Sequence, residues 1–200
     1  MAYATVAQVK AAVGIGTADT ADDAQITLAL SAAESMIDGY CGRSFGTAGT
    51  AATTRVYAAS VDDLVFIDDA AAVSLVETYD GSAWTAWASD DWQAEPLNSR
   101  QDGQAWPATS LRAIDSYSFP VTARANVRVT ATWGWPSVPD PVEQAAIQSA
   151  IRLWKRFDTP LGFGGGPDTG LLYVSRQVDG DVAQLLAPYR VGGNAIGGIA

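Results

Sequence analysis

The sequence predicts an α+β protein, helical at its start, β-rich and aromatic in its middle, and helical again toward its end. Three observations predict it. Ile26, Leu30, Ala33, Ile37 and Tyr40 recur at helical spacing and lay one apolar stripe along about five turns. From Thr53 the period changes to short β-branched and aromatic runs, and six of the seven tryptophans (Trp84, Trp87, Trp92, Trp106, Trp133, Trp135) fall within residues 84–135. After Pro136, Pro139 and Pro141 the helical period returns.

Thr5-Val6-Ala7-Gln8 is a capping-box pattern, in which the threonine side chain bonds the third amide and Gln8 reaches back. The short helix it opens is expected to stop at Gly14. A second start is expected at Thr20, with Asp22 and Asp23 favourable in the first turn and Gly42 as the terminating residue. In the middle region Arg55–Tyr57, Leu64–Ile67 and Val73–Tyr79 read as strands with acidic loops between them. Tyr79-Asp80-Gly81-Ser82 reads as a type I′ hairpin turn, because Asp-Gly supplies positive φ, with Trp84 and Trp87 on the returning strand. Further strands are expected at Trp92–Glu95, Leu111–Ile114 and Val127–Trp133, together a small antiparallel sandwich or barrel.

Asp140 is the expected N-cap of the next helix, with Pro141 and Glu143 in its first turn. Its buried face is Val142, Ala146, Ile147, Ala150, Ile151 and Trp154, and Arg152, Lys155 and Arg156 suit the negative end of its dipole. It is expected to end before Pro160. Gly162–Gly166 reads as a loop, followed by a last short helix from Asp179 or Asp181 through Val182, Leu185 and Leu186 to Pro188. The final stretch, Tyr189 to Ala200, spaces Tyr189, Val191, Ala195, Ile196 and Ile199 on a Gly-rich backbone without helical period.

Composition removes most chemistries. The 200 residues hold 12 Lys+Arg against 22 Asp+Glu, a formal charge of −10, which does not suit a chain built to grip phosphate. Residues 1–140 carry 17 acids and 7 bases, whereas residues 141–200 are balanced at 5 and 5. With no histidine, a Ser-His-Asp or Cys-His nucleophile, a histidine base and a histidine-ligated metal are all excluded. The single cysteine, Cys41, makes no internal disulfide or cysteine metal cluster and reads as a buried, inert thiol. The start lacks the basic and apolar segments of a signal peptide, and no run approaches the ~18 apolar residues of a membrane span. The expectation is a protein made and kept in a cytosol, or in something assembled there.

The remaining motifs have plain readings. Gly42-Arg43-Ser44-Phe45-Gly46 matches the G-x-S-x-G elbow, but it follows a helix rather than a strand, so its glycines read as a helix stop and a loop. Gly162-Phe163-Gly164-Gly165-Gly166 lacks the Lys-Ser/Thr pair and the following helix of a phosphate cradle. Asp62, Asp63, Asp68 and Asp69 could be arranged around calcium, yet no D-x-D-x-D-G loop is present and aspartate is common in turns, so no metal is assigned. Glu34, Glu77, Glu95 and Glu143 are scattered over different elements, which argues against a paired-carboxylate glycosidase. No catalytic residue and no cofactor is assigned. The tryptophans leave one rival, a carbohydrate-binding β module using Trp84, Trp87 or Trp92.

Three passages resemble the head–tail connector proteins of long-tailed phages, also called head-completion or head-to-tail adaptor proteins. The first is Tyr3-Ala4-Thr5-Val6-Ala7-Gln8-Val9-Lys10 and then Asp22-Asp23 through Ile37-Asp38-Gly39-Tyr40-Cys41-Gly42-Arg43-Ser44-Phe45, similar to the family's opening helix pair with its Tyr-x-Gly-Arg-x-Phe-like ending. The second is Thr132-Trp133-Gly134-Trp135-Pro136-Ser137-Val138-Pro139 with the Ala-rich helix to Arg156, and the third is Val182-Ala183-Gln184-Leu185-Leu186-Ala187-Pro188-Tyr189-Arg190. The middle is similar to the insertion in adaptors of phages infecting actinobacteria.

The resemblance implies a helical bundle formed by N- and C-terminal helices with an inserted small antiparallel β domain and an extended C-terminal tail. It divides the chain into 1–48, the inserted 49–136, 137–188 and the tail 189–200. It implies a structural, non-enzymatic protein of the virion neck, made in the host cytoplasm, with no membrane partner. Its partners would be further copies in a ring, usually a dodecamer, the portal protein, and a stopper or tail-side neck protein; a tail terminator is the rival within this class. DNA would pass through the ring without specific binding, repelled by an acidic lumen. The tail would dock into the portal as an extended strand through Tyr189, Arg190, Val191, Asn194, Ile196 and Ile199.

Overall fold

The computed structural model describes residues 2–98, 105–157, 163–164, 172–173 and 179–191. The chain divides into two compact units, one from Met1–Phe45 with Val138–Ala200 and the other from Gly46–Ser137.

Among the described residues the first unit holds four α-helices: α1 (Val6–Val13), α2 (Asp23–Cys41), α3 (Asp140–Phe157) and α4 (Gly180–Leu186). The capping box forms as expected, the Thr5 hydroxyl accepting the Gln8 amide and the Gln8 carboxamide accepting the Thr5 amide. Helix α2 begins at Asp23, not at Thr20. The reason is Lys10, a lysine only 3% exposed, whose ammonium donates to the carbonyls of Thr17 and Asp19 and pairs with Asp23 at 2.8 Å. That buried cation gathers the loop beneath it, and Thr20 is left to accept the Asp23 amide in a turn. Ile26, Leu30, Ala33 and Ile37 form the buried stripe of α2, joined by Ala29 and Cys41, while Tyr40 is half-buried.

Helix α3 packs against each of the other three. Its buried residues are Val142, Ala145, Ala146, Ile147 and Ala150, with Ile151 and Trp154 half-buried. Asp140 is its first helical residue rather than its cap; the Pro139 carbonyl accepts the Val142 and Glu143 amides. Arg152 near its end pairs with Asp179 at 2.5 Å, which ties α3 to the start of α4. A 3-10 turn, Ala187–Tyr189, follows α4. Phe163–Gly164 pairs with Leu172–Tyr173 as a two-residue antiparallel ladder, and the rest of the Gly162–Gly166 run lies outside the described residues.

The described residues of the second unit form one antiparallel sheet of six strands: β1 (Thr53–Tyr57), β2 (Leu64–Tyr79), β3 (Trp84–Ala86), β4 (Trp92–Glu95), β5 (Ala108–Ala113) and β6 (Val127–Trp133). The order is β1-β6-β2-β5-β4, with β3 beside β5 on the same edge of β2. Two expectations are corrected here. Residues 64–79 are one 16-residue strand, so Asp68 and Asp69 lie within it rather than in a loop. Of the two expected forms, a sandwich or a barrel, the single sheet excludes only the sandwich. Register shifts between Phe66 and Ala70, Ala70 and Ala72, and Val73 and Leu75 bend β2. The sheet curls until Arg55 and Tyr57 on β1 reach Asp68 on β2, at 2.6 and 2.9 Å. One face buries Val65, Ile67, Ala70, Val76, Leu111, Val127, Val129 and Ala131, closed by Trp87 and Phe119.

The hairpin after Tyr79 is real, but its turn is not type I′. Only Gly81 has positive φ (+107°), and Asp80 instead turns its carboxylate onto the Ser82 and Ala83 amides. Those bonds hold the Asp80 carboxyl below its usual range. At the unit's two ends, Ala48 donates to the Trp135 carbonyl at 2.7 Å and Trp135 to the Gly46 carbonyl at 3.0 Å. Gly134 (φ +119°) sits against this clasp, where a Cβ would lie 2.6 Å from the Gly46 carbonyl oxygen.

Candidate functional site

The candidate site is the C-terminal segment and the seat α2 makes for it. Gly42 ends α2 in the left-handed region (φ +68°), its amide on the Asp38 carbonyl at 2.8 Å, and turns the chain so that Phe45 re-enters the helical core. Phe45 is fully buried. Tyr3 and Tyr189 both meet its ring edge-on, with centroids at 5.9 and 5.8 Å. The Tyr3 hydroxyl donates to Asp38 at 2.5 Å, accepts the Phe45 amide at 2.8 Å and lies 3.1 Å from the Ser44 hydroxyl. Its own amide donates to Glu34 at 2.9 Å. Burial, reinforced by the bond to the Asp38 carboxylate, pushes the Tyr3 phenol up to about 12.

The predicted docking residues divide into two groups. Tyr189 is 3% exposed and is a core residue of its own unit. The Arg190 guanidinium lies over the Tyr40 ring at 4.9 Å, and the Val191 amide donates to the Cys41 carbonyl at 2.8 Å. That carbonyl is one a helix end leaves without an intrahelical partner. The Val191 side chain stands over Gly42 and is 58% exposed. These three residues therefore form a strap across the C-terminal end of α2. Asn194, Ile196 and Ile199 lie outside the described residues. Beneath the strap, burial pushes the Cys41 thiol up to about 11, so it stays protonated and unreactive at neutral pH.

Elsewhere the candidates for chemistry are engaged in structure. Ser44 of the G-x-S-x-G run contacts the Tyr3 hydroxyl. Asp63 pairs with Arg112, Asp68 with Arg55, and Asp69 accepts the Trp135 indole N–H at 3.0 Å. Among the described residues no group of three or more Asp, Glu, Cys or His is placed to hold a metal. Glu34 accepts from Tyr3, Glu77 pairs with Arg128, Glu95 with Arg112, and Glu143 accepts from Gln8. Bidentate contact with Arg128 holds the Glu77 carboxyl below its usual range.

None of the three tryptophans of the carbohydrate-binding rival is an exposed platform. Trp87 stacks on Phe119 at 4.8 Å and is 8% exposed, Trp84 lies beneath Arg128 at 4.4 Å, and Trp92 is half-buried against the core. Sequence reasoning missed the seat itself. Tyr40 and Phe45 stand in the Tyr-x-Gly-Arg-x-Phe-like phrase, but nothing in the phrase shows that Tyr3, Tyr189 and Arg190 converge on it.

Residues 3–74, from Tyr3 through α1 and α2 and into β2, match the family described as phage gp6-like head-tail connector protein. The fold is also that of a solved chain from the neck of an empty gene transfer agent particle computed with C6 symmetry. That likeness has a TM-score of 0.55 and 18% identity, and covers 92% of this chain and 88% of the other. A chain from the virion of the native gene transfer agent particle aligns over the same shares at 19% identity, with a TM-score of 0.49. No curated protein matches. The resemblance to the head–tail connectors thus holds, and the chain has the α+β fold of a particle-neck protein. Among the described residues no helix is long and apolar enough to cross a membrane.

Proposed function

We propose that this chain is a structural, non-catalytic adaptor of a virion neck, which assembles as a ring between a portal protein and a stopper or other tail-side component. The observation that carries the reading is the fold shared over 92% of the chain with a chain from the neck of a gene transfer agent particle, together with the connector match over residues 3–74. In this reading the helical unit is a bundle forming the body of the ring, a dodecamer as the connector resemblance implies. The charge of −10 per copy repels DNA phosphate, so the genome passes without adhering.

Docking to the portal falls to the residues that follow the strap. Tyr189, Arg190 and Val191 fix the point from which the tail leaves, and Asn194, Ile196 and Ile199 make the contacts as an extended strand. The test is native mass spectrometry with portal rings, using the full chain and a variant ending at Val191, which keeps the amide that bonds Cys41. The full chain is expected to join in the portal's own stoichiometry, and the shortened one to melt as the full chain does but to attach at least tenfold more weakly. Equal attachment removes the tail reading. A full chain indifferent to the portal removes the adaptor reading itself.

A further inference from the structure

Three connections of the second unit meet at one end of its sheet. Residues 58–63 join β1 to β2, residues 87–91 join β3 to β4, and residues 114–126 join β5 to β6. The Asp62 carbonyl accepts the Phe119 amide at 2.6 Å, the Asp63 carbonyl the Ala113 amide at 2.9 Å, and the Asp91 carbonyl the Ile114 amide at 2.9 Å. Beneath them Phe119 is buried against Trp87, and Tyr117 packs on the same indole at 5.0 Å. The chain enters and leaves the unit at the clasp beyond Trp133, the far end of β6 from Val127. Residues 99–104, outside the described set, fall between β4 and β5 at the other end of their ladder, where Glu95 meets Ser110 rather than where Trp92 meets Ala113.

This end is tied together from below and apolar on top. Among the described residues Val61 is 46%, Tyr117 44% and Val121 54% exposed. Around them stand Asp62, Asp63, Asp90, Asp91 and Asp115, against Arg112 and Arg124. Arg112 is already engaged by Asp63 and Glu95. An apolar centre with an acidic rim defines its complement, an apolar anchor flanked by cations. The rim repels phosphate groups, and it repels a second copy of this chain brought up by the same end. A bare polyamine would satisfy the rim and leave the centre in water.

We propose that this end of the β unit is a docking surface for a protein segment that carries apolar side chains between lysines or arginines. The probe is a capped hexapeptide with leucine and phenylalanine between two pairs of lysines, titrated into the nitrogen-15-labelled full chain; its control has two serines in the middle. Amide shifts are expected to be confined to residues 58–63, 87–91 and 114–126, with the control binding at least fivefold more weakly. Asp62→Asn with Asp115→Asn, and separately Val61→Ser with Val121→Ser, are each expected to weaken the first peptide at least fivefold. These side chains are exposed, and it is the Asp62 carbonyl, not its carboxylate, that holds Phe119, so the melting temperature should not change. If the valine pair lowers it, Val121→Ser alone reads the same contact. No binding, shifts spread over the other acidic stretches, equal binding of the two peptides, or binding indifferent to these substitutions overturns the proposal. Portal attachment plays no part in this titration, so the adaptor reading stands or falls separately.

Discussion

Tyr189 packs edge-on against Phe45 at 5.8 Å, which anchors the end of the described chain to the residue that follows the α2 stop. Tyr3 meets the same ring from the start of the chain. Phe45 is thereby the keystone of the helical unit. Phe45→Ala removes a fully buried aromatic and both edge contacts, and is expected to cost about 3–5 kcal/mol in urea unfolding. Phe45→Leu, which retains most of the apolar volume, should cost clearly less.

The Tyr3 hydroxyl sets an alkaline limit. Its folded pKa is raised from 10 to about 12, so the stability it contributes is full below about pH 10 and is lost as pH rises through about 12. Tyr3→Phe leaves the buried Phe45 amide without its acceptor and is expected to cost about 1–3 kcal/mol at neutral pH. The variant should also lose less stability than the native chain between pH 10 and 12. Tyr57, pushed to about 12 by burial and its bond to Asp68, and Cys41, pushed to about 11 by burial, contribute further alkaline loss. Equal alkaline slopes for the two proteins would contradict the assignment.

Two glycines should respond in opposite directions. Gly39 lies inside α2, and among the described residues nothing comes within 4 Å of where its Cβ would stand, so Gly39→Ala is expected to stabilise by about 1 kcal/mol through helix propensity. For a chain of this size that is a rise of about 2–4 °C in melting temperature. Gly134→Ala forces a Cβ into the Gly46 carbonyl at positive φ, and is expected to cost roughly 3 kcal/mol. Calorimetry of the two single variants checks both signs.

What the sequence made legible was local. The Thr5–Gln8 box, the α2 stripe and its Gly42 stop, and the strands at 92–95 and 127–133 stand where spacing and residue type put them. The departures come from contacts between residues far apart in sequence. Thr20 loses its capping role because Lys10 gathers the loop from beneath. Asp68 reads as a loop residue, yet it stays in a strand because Arg55 and Tyr57 reach it across the curl. Tyr189 reads as the first free anchor of a tail, and only the convergence of Phe45 and Tyr3 shows why it is buried.

The clasp between Gly46–Ala48 and Gly134–Trp135 has a consequence for how the chain folds. The helical unit is built from two separated stretches, which must meet across roughly ninety intervening residues. Once the sheet unit has folded, its clasped ends shrink that gap to a few residues. By the logarithmic dependence of closure entropy on length, this removes about 3 kcal/mol from the cost of bringing the stretches together. A β unit that has folded therefore acts as an intramolecular scaffold for assembly of the helices. A lesion at Gly134 should slow refolding of the helical unit although no helical residue has changed.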